Sequence, residues 1–251
     1  MTDVAHLSSA PDASPTPPPP PALDALLETI NKQFDVDFEA LDIDGTPLHV
    51  LSIQNMTQHL DGLLARKAIR NPLKDLPLWA KVWPASFVLG RYLRKFEPQG
   101  KHLLEIGAGC GVTGCIASRY GFASVCISDV VDEALRFAQA NVLRNALEDL
   151  VQVRRVDILS TRLERRFDCI AASEVLYLEE LHRPLLKFVA RHLAAGGKAV
   201  FCTDVARRQP RFFKQAARDF LVTDRMVGVR SVNAEGEEER RVYAIHTLEA
   251  K

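Results

Sequence analysis

The chain has 251 residues, 47% of them apolar, which suits one domain with an ample core plus an extension. Its formal charge is zero but unevenly spread: residues 1–150 carry 13 Lys+Arg against 18 Asp+Glu and residues 151–251 carry 19 against 14, so the two parts stand at −5 and +5. No run of 18 apolar residues occurs and the N-terminus lacks a basic stretch followed by an apolar one, so neither a membrane span nor a secretory signal is expected.

Residues 1–21, rich in Ser, Ala and Asp and ending in five prolines at 17–21, read as a disordered Pro-rich tail. A flexible leader explains that composition more simply than a polyproline ligand does. Residues 22–75 form an N-terminal α+β extension. It comprises a helix over 22–30, strands over 34–41 and 48–53 joined around Asp44-Gly45, and a helix over 56–68 with Met56, Leu60, Leu63 and Leu64 on one face.

From residue 76 to 251 strands and helices alternate. Pro84 opens a helix through Phe96, followed by strand 101–106, helix 112–120 stopped by Gly121, strand 123–128, helix 132–145 and strand 151–156. Strand 167–172 comes next, then a helix over 182–194 with Pro184 in its first turn and Gly196-Gly197 behind it, and strand 198–203. A helix over 210–219 precedes strands over 220–232 and 240–248. This pattern predicts an α/β, Rossmann-like, doubly wound and mostly parallel seven-stranded sheet with a terminal antiparallel hairpin.

The chemistry concentrates in Leu103–Gly114, LLEIGAGCGVTG, where an apolar strand runs into Glu105 and then into glycines at 107, 109, 111 and 114. Glycines without Cβ let bare backbone approach a ligand, and a helix opening behind them directs its free N–H groups at that ligand. Gly109, Gly111 and Gly114 satisfy the dinucleotide pattern GxGxxG, whereas Glu105, Gly107, Gly109 and Gly111 satisfy the E/D-x-G-x-G-x-G of S-adenosylmethionine (SAM) sites. Glu105 favours SAM, because a carboxylate repels pyrophosphate but tolerates a methionine ammonium. Asp129, one helix and one strand later, is placed to accept both ribose hydroxyls, which either cofactor offers. The plainer alternatives are a solvated strand-end charge at Glu105 and a helix cap at Asp129 or Asp132.

In an open α/β sheet the ligand lies at the carboxyl ends of the strands, which adds Asp157 in VRRVDIL and the segment Ser173-Glu174-Val175-Leu176-Tyr177. Asp157 is placed either to accept from an adenine amino group or to pair with a neighbouring arginine. The five cysteines, at 110, 115, 126, 169 and 202, have no CxxC spacing; they read as reduced core thiols of an intracellular, cytoplasmic protein, with no metal site. Arg154, Arg155, Arg162, Arg165 and Arg166 carry no accompanying RNA-binding signature and read as a solvated rim, and Trp79 and Trp83 as a packed patch rather than a base-stacking platform.

Over about residues 76–205 the chain resembles the seven-β-strand protein methyltransferases. It resembles in particular the group whose lysine methyltransferases act on calmodulin, chaperones, AAA ATPases and the electron-transfer flavoprotein β subunit. The resemblance rests on LEIGAGCGVTG, on Glu174-Val175-Leu176-Tyr177, which is similar to the group's D/E-x-x-Y motif after strand four, and on LWAKVWPASFVLGRYL from 78 to 93. It implies that Glu105, Gly107, Gly109, Gly111 and Asp129 bind SAM with Trp83 near the cofactor, while Asp157, where the chain departs from the group, and Ser173 are cofactor-binding candidates by their place after the strands. Glu174 and Tyr177 then face the target side chain of a protein substrate presenting a lysine. An RNA or small-molecule methyltransferase, or a catalytically silent SAM-binding interaction module docking a partner through 22–75, are the rival readings, because fold and cofactor do not fix the acceptor.

Overall fold

The computed structural model describes residues 4–6, 21–65, 76–232 and 238–251. Its first elements are β1 (Val4–His6), α1 (Pro21–Asn31), β2 (Val36–Ile43), β3 (Thr46–Ile53) and α2 (Met56–Ala65). The hairpin β2–β3 forms because Asp44 and Gly45 both adopt positive φ, 54° and 82°, the twist-matched geometry of a two-residue turn. In α2, Met56 and Leu60 are half-buried as the spacing predicts, but Leu64 is 60% exposed. Residues 66–75, which include the expected end of that helix, lie outside the described residues.

Both edges of the expected tail belong to regular elements. Val4–His6 pair in parallel with Gly228–Arg230, and Pro21 already opens α1, where its fixed φ suits a first helical turn. Residues 1–3 and 7–20 lie outside the described residues.

The remainder alternates as expected: α3 (Pro84–Tyr92), β4 (His102–Ile106), α4 (Val112–Ala117), β5 (Ser124–Asp129), α5 (Asp132–Arg144), β6 (Val151–Arg155), β7 (Phe167–Ser173), α6 (His182–His192), β8 (Leu193–Asp204), α7 (Pro210–Ala216), β9 (Phe220–Val232) and β10 (Glu238–Ala250). The strands lie in the order β1-β9-β10-β8-β7-β4-β5-β6. The five from β8 to β6 are parallel, and β10 runs antiparallel to both its neighbours. Beside the edge strand β1, this is the seven-stranded arrangement the periodicity predicts. Chain order reverses between β4 and β7, and such a switch point is where open α/β sheets hold their ligands in a crevice.

Helices cover both faces. On one face α3 and α4 cross at Gly90, where an added Cβ would come within 2.8 Å of the Ile116 side chain. The extension joins that same core, with Leu23, Ile30, Leu48 and Leu51 buried alongside Leu103, Ile116 and Phe137. On the other face α6 and α7 bury Phe188, Phe212 and Phe213 against Ile170 and Phe201.

Four helices are shorter than their pattern implies: α3 and α4 each tighten into a 3₁₀ turn, over Leu93–Phe96 and Ser118–Tyr120, while α6 stops at His192 and α7 at Ala216. Gly196-Gly197 also has a different job from the predicted helix stop. The strand β8 begins earlier, at Leu193, and runs through both glycines, with Gly196 at φ 71° and a register shift against β7 between Phe167 and Cys169. A Cβ on Gly197 would sit 2.9 Å from the Asp168 carbonyl oxygen, so the bulge needs a residue without one. All five cysteines are buried and free. No helix among the described residues is long and apolar enough to cross a membrane.

Candidate active site

The glycine turn after β4 is set by backbone conformation. Gly107, Gly109 and Gly111 lie at φ 60°, 53° and 77°, where a side chain costs about 1–2 kcal/mol. Space is also short: a Cβ on Gly107 would reach Val175 Cγ1 at 2.7 Å, and one on Gly109 would reach the Trp79 carbonyl oxygen at 2.8 Å. The first of these contacts joins the turn after β4 to the segment after β7 at the switch point, because Val175 follows β7. The second seats Trp79 in an aromatic cluster with Phe34 and Phe137, so Trp79 is a packing residue, as the sequence suggests.

Glu105 departs from the strand-end charge that the sequence pattern evokes. It is 1% exposed, and its Oε2 accepts the Gly114 N–H at 2.8 Å, tying the strand to the helix behind the turn. Burial pushes its carboxyl up to about 8, with the nearby Asp129 charge adding to the rise, while hydrogen bonds from Thr113 and Gly114 oppose it. A carboxyl so placed is a strut under the loop rather than a counter-charge facing a ligand.

Asp129, the last residue of β5, faces the loop instead. Its Oδ2 accepts the Gly109 N–H at 2.8 Å, and its Oδ1 accepts from Val130 and Val131 at 2.7 and 3.0 Å. A carboxylate has about four acceptor positions, so three backbone donors leave room for a ligand hydroxyl. Asp157 closes its own turn after β6: Oδ1 accepts the Leu159 N–H at 2.9 Å and Oδ2 accepts the Ser160 hydroxyl at 3.0 Å. No ion pair to a neighbouring arginine is formed by Asp157 among the described contacts. Large apolar side chains stand open just after three consecutive strand ends: Val130 after β5 is 46% exposed, Leu159 after β6 is 59%, and Tyr177 after β7 is 47%. Unburied apolar surface around a glycine turn and an acid fits a nucleoside ligand.

Across the switch point Ser173 ends β7 and its hydroxyl lies 3.1 Å from that of Ser86 on α3. Glu174 follows at φ 53°, a left-handed conformation that is strained for glutamate. Its carboxylate is held by the Asp204 N–H on Oε1 at 2.9 Å, and by Arg207 through Nη2 to Oε1 at 2.8 Å and Nε to Oε2 at 3.1 Å. The Arg207 guanidinium also lies 5.3 Å from the centre of the Trp83 ring, and Lys81 Nζ lies 4.7 Å from it. Trp83 itself is fixed by its Nε1–H, which donates to the Leu78 carbonyl at 2.9 Å. Tyr177 follows in the same segment, where burial and the Asp129 charge push its phenol up.

The structure therefore packs the glycine turn on Val175, ties Asp129 to Gly109 and brings the Asp129 charge to bear on Tyr177, with Ser173 and Glu174 at the end of β7, Glu105 behind the turn and Asp157 in its own turn after β6. Sequence reasoning missed Arg207, which lies 33 positions beyond Glu174 with no motif to mark it, and Ser86, whose hydroxyl is hidden inside an apolar helix.

A glycine turn and strand-end acid on a mostly parallel sheet with a terminal antiparallel hairpin define a Rossmann-like methyltransferase. Residues 69–219 match the lysine methyltransferase family, more than half of the chain, and the protein belongs to that family. Methyl transfer on this fold takes its methyl group from SAM, and the strand-end acid, glycine turn and open apolar residues fit that group. The chain is 33% identical over 161 residues to the zebrafish protein N-lysine methyltransferase METTL21A, covering 60% of this chain and 72% of that one. It is 31% identical over 140 residues to the rat electron transfer flavoprotein β subunit lysine methyltransferase, covering 55% of this chain and 54% of that one. Among solved structures, a Pyrococcus horikoshii protein provisionally named an RNA methyltransferase aligns over 79% of this chain and 99% of its own with a TM-score of 0.56 at 17% identity. The precorrin-6y C5,15-methyltransferase of Geobacter metallireducens does so over 73% and 92%, with a TM-score of 0.53 at 14% identity. At such identities these two speak for the fold alone.

Proposed function

We propose that the protein transfers methyl groups from SAM to the side-chain nitrogen of lysine in a protein substrate, in the cytoplasm. The observation that carries the reading is the meeting of the glycine turn with the segment after β7, where Gly107 packs on Val175 and sets Glu174 and Tyr177 beside the cofactor turn. Five buried free thiols support a reducing compartment. In this reading Gly107, Gly109, Gly111 and Asp129 bind the cofactor, Glu105 holds their loop to α4, and Trp83, Ser173 and Asp157 border the site.

SAM, when bound, supplies an electrophilic methyl for in-line displacement. The acceptor nitrogen must be neutral, although free lysine has a pKa of about 10.4. Glu174 receives and aims the amine, Tyr177 forms a wall with a hydroxyl to hydrogen-bond it, and exclusion of water by the docked substrate disfavours the charged form of the amine. Alignment of nitrogen, methyl and sulfur then provides most of the acceleration. The extension 22–75 acts with the domain 76–251 as one unit, since its hairpin is hydrogen-bonded to α5 beneath the glycine turn.

The test is transfer of tritium from labelled SAM to electron transfer flavoprotein β subunit and, separately, to an extract of the protein's own cells, with protease and nuclease arms. Label released by protease and recovered on lysine is the expected result. Label released by nuclease alone establishes the RNA reading, label on free small molecules the small-molecule one, and no label despite SAM binding the silent-module one.

A further inference from the structure

We propose that Arg207 is a positioning residue of the acceptor site, whose charge offsets Glu174 and so prevents that carboxylate from raising the pKa of a docked lysine amine. The inference rests on the lysine reading above. Its starting point is that Glu174 is not a bare carboxylate: Arg207 grips both its oxygens, at 2.8 and 3.1 Å, while the Asp204 N–H holds Oε1 at 2.9 Å. A bidentate guanidinium-carboxylate pair is planar and directional, and guanidinium does not deprotonate in proteins. The charge is therefore present at every pH where the enzyme works.

A lone carboxylate captures an ammonium well but stabilises its charged form, which cannot be methylated. An adjacent cation acts in the opposite sense. With Arg207 in place, an amine arriving at Glu174 meets a pair of net zero charge, so it gains a directional acceptor without a rise in its pKa.

The surroundings agree in sign. Facing Arg207 are Glu174 after β7, Asp204 at the end of its own strand at 3.5 Å, Trp83 before α3, and Tyr243 on β10. Lys81 adds a second cation against the same Trp83 ring. Arg241 and Cys202 stand behind Tyr243, whose phenol is pushed up to about 12, first by burial and then by the Asp204 charge, so it stays neutral. The Cys202 thiol is likewise driven up by burial. Arg241 is paired with Glu239 at 2.9 Å, so the remaining fixed charges are the two carboxylates Glu174 and Asp204 and the two cations Arg207 and Lys81, and removing Arg207 leaves the carboxylates in excess.

The experiment compares wild type, Arg207→Gln, Arg207→Lys and the double variant Glu174→Gln/Arg207→Gln. Methyl transfer from tritiated SAM to protein of the cell extract is measured from pH 6 to 10, with S-adenosylhomocysteine affinity measured on the same preparations. The acid limb of the Arg207→Gln profile should move up by about one to two pH units, its rate approaching wild type at high pH. Arg207→Lys and the double variant should bring the limb back, and cofactor affinity should stay within about twofold throughout. A limb that does not move while lysine carries the label, or a loss of S-adenosylhomocysteine affinity in Arg207→Gln, overturns the assignment of Arg207. Label on a group other than lysine in the wild type overturns the reading beneath it.

Discussion

Asn141 accepts the backbone N–H of Leu51 on its side-chain oxygen at 2.7 Å, while its Nδ2 donates to the Cys110 carbonyl in the glycine turn at 2.8 Å. One fully buried amide on α5 thus joins the extension to the cofactor loop. One turn further on, Asn145 repeats the device, exchanging two hydrogen bonds with the backbone of His49. Asn141→Leu leaves a buried donor and a buried acceptor unpaired. It should destabilise the fold by about 2–4 kcal/mol in urea titration and weaken S-adenosylhomocysteine binding in calorimetry. Unchanged stability would show that the extension docks through apolar contacts alone.

Glu105 gives the stability a pH dependence of known sign. Its native carboxyl titrates at about 8, above its ordinary value, so the folded state holds a proton that the unfolded state releases. Its contribution is complete at acid pH below the unfolded value and is lost as pH rises through about 8. Glu105→Gln keeps an acceptor for Gly114 and carries no charge. Its urea midpoint should therefore fall less between pH 5 and 8 than that of the wild type. Parallel curves would mean that Glu105 is charged where it lies.

Asp129 should carry most of the cofactor linkage. Excess S-adenosylhomocysteine raises the melting temperature of any protein whose native state alone binds it, and Asp129→Ala should abolish most of that rise. Stabilisation by NAD without stabilisation by S-adenosylhomocysteine would reverse the cofactor assignment.

Gly109→Ala combines a φ of 53° with a Cβ placed 2.8 Å from the Trp79 carbonyl oxygen. The loop has to move, and cofactor affinity should fall about tenfold while far-ultraviolet circular dichroism stays native. Wild-type affinity in this variant would show that the loop accommodates a methyl group at no cost.

The alternation of strand and helix and the glycine turn were legible in the sequence because each is a local pattern: period, punctuation and positive φ all act within a few residues. What was hidden depends on three-dimensional neighbours. Glu105 reads as an acid serving the SAM turn, with a solvated strand-end charge as the alternative, yet it shares a face with Leu103 in a strand buried on both sides, so its carboxyl turns inward. Gly196-Gly197 stops helices in general, but here the bulge of β8 against β7 claims both glycines. The three-residue strand Val4–His6 is too short to carry any period, and Arg207 meets Glu174 only because β7 and β8 are neighbours.

If the segment after β7 serves the acceptor and the segment after β4 serves the cofactor, cofactor affinity and turnover come apart when both are measured in the same variants. Glu174→Ala and Tyr177→Phe should bind S-adenosylhomocysteine with near wild-type affinity in calorimetry. Methyl transfer to lysine, read by peptide mass spectrometry, should meanwhile fall by about 100-fold or more for Glu174→Ala. Full transfer in Glu174→Ala, or a loss of cofactor affinity as large as the loss of turnover, would contradict the account.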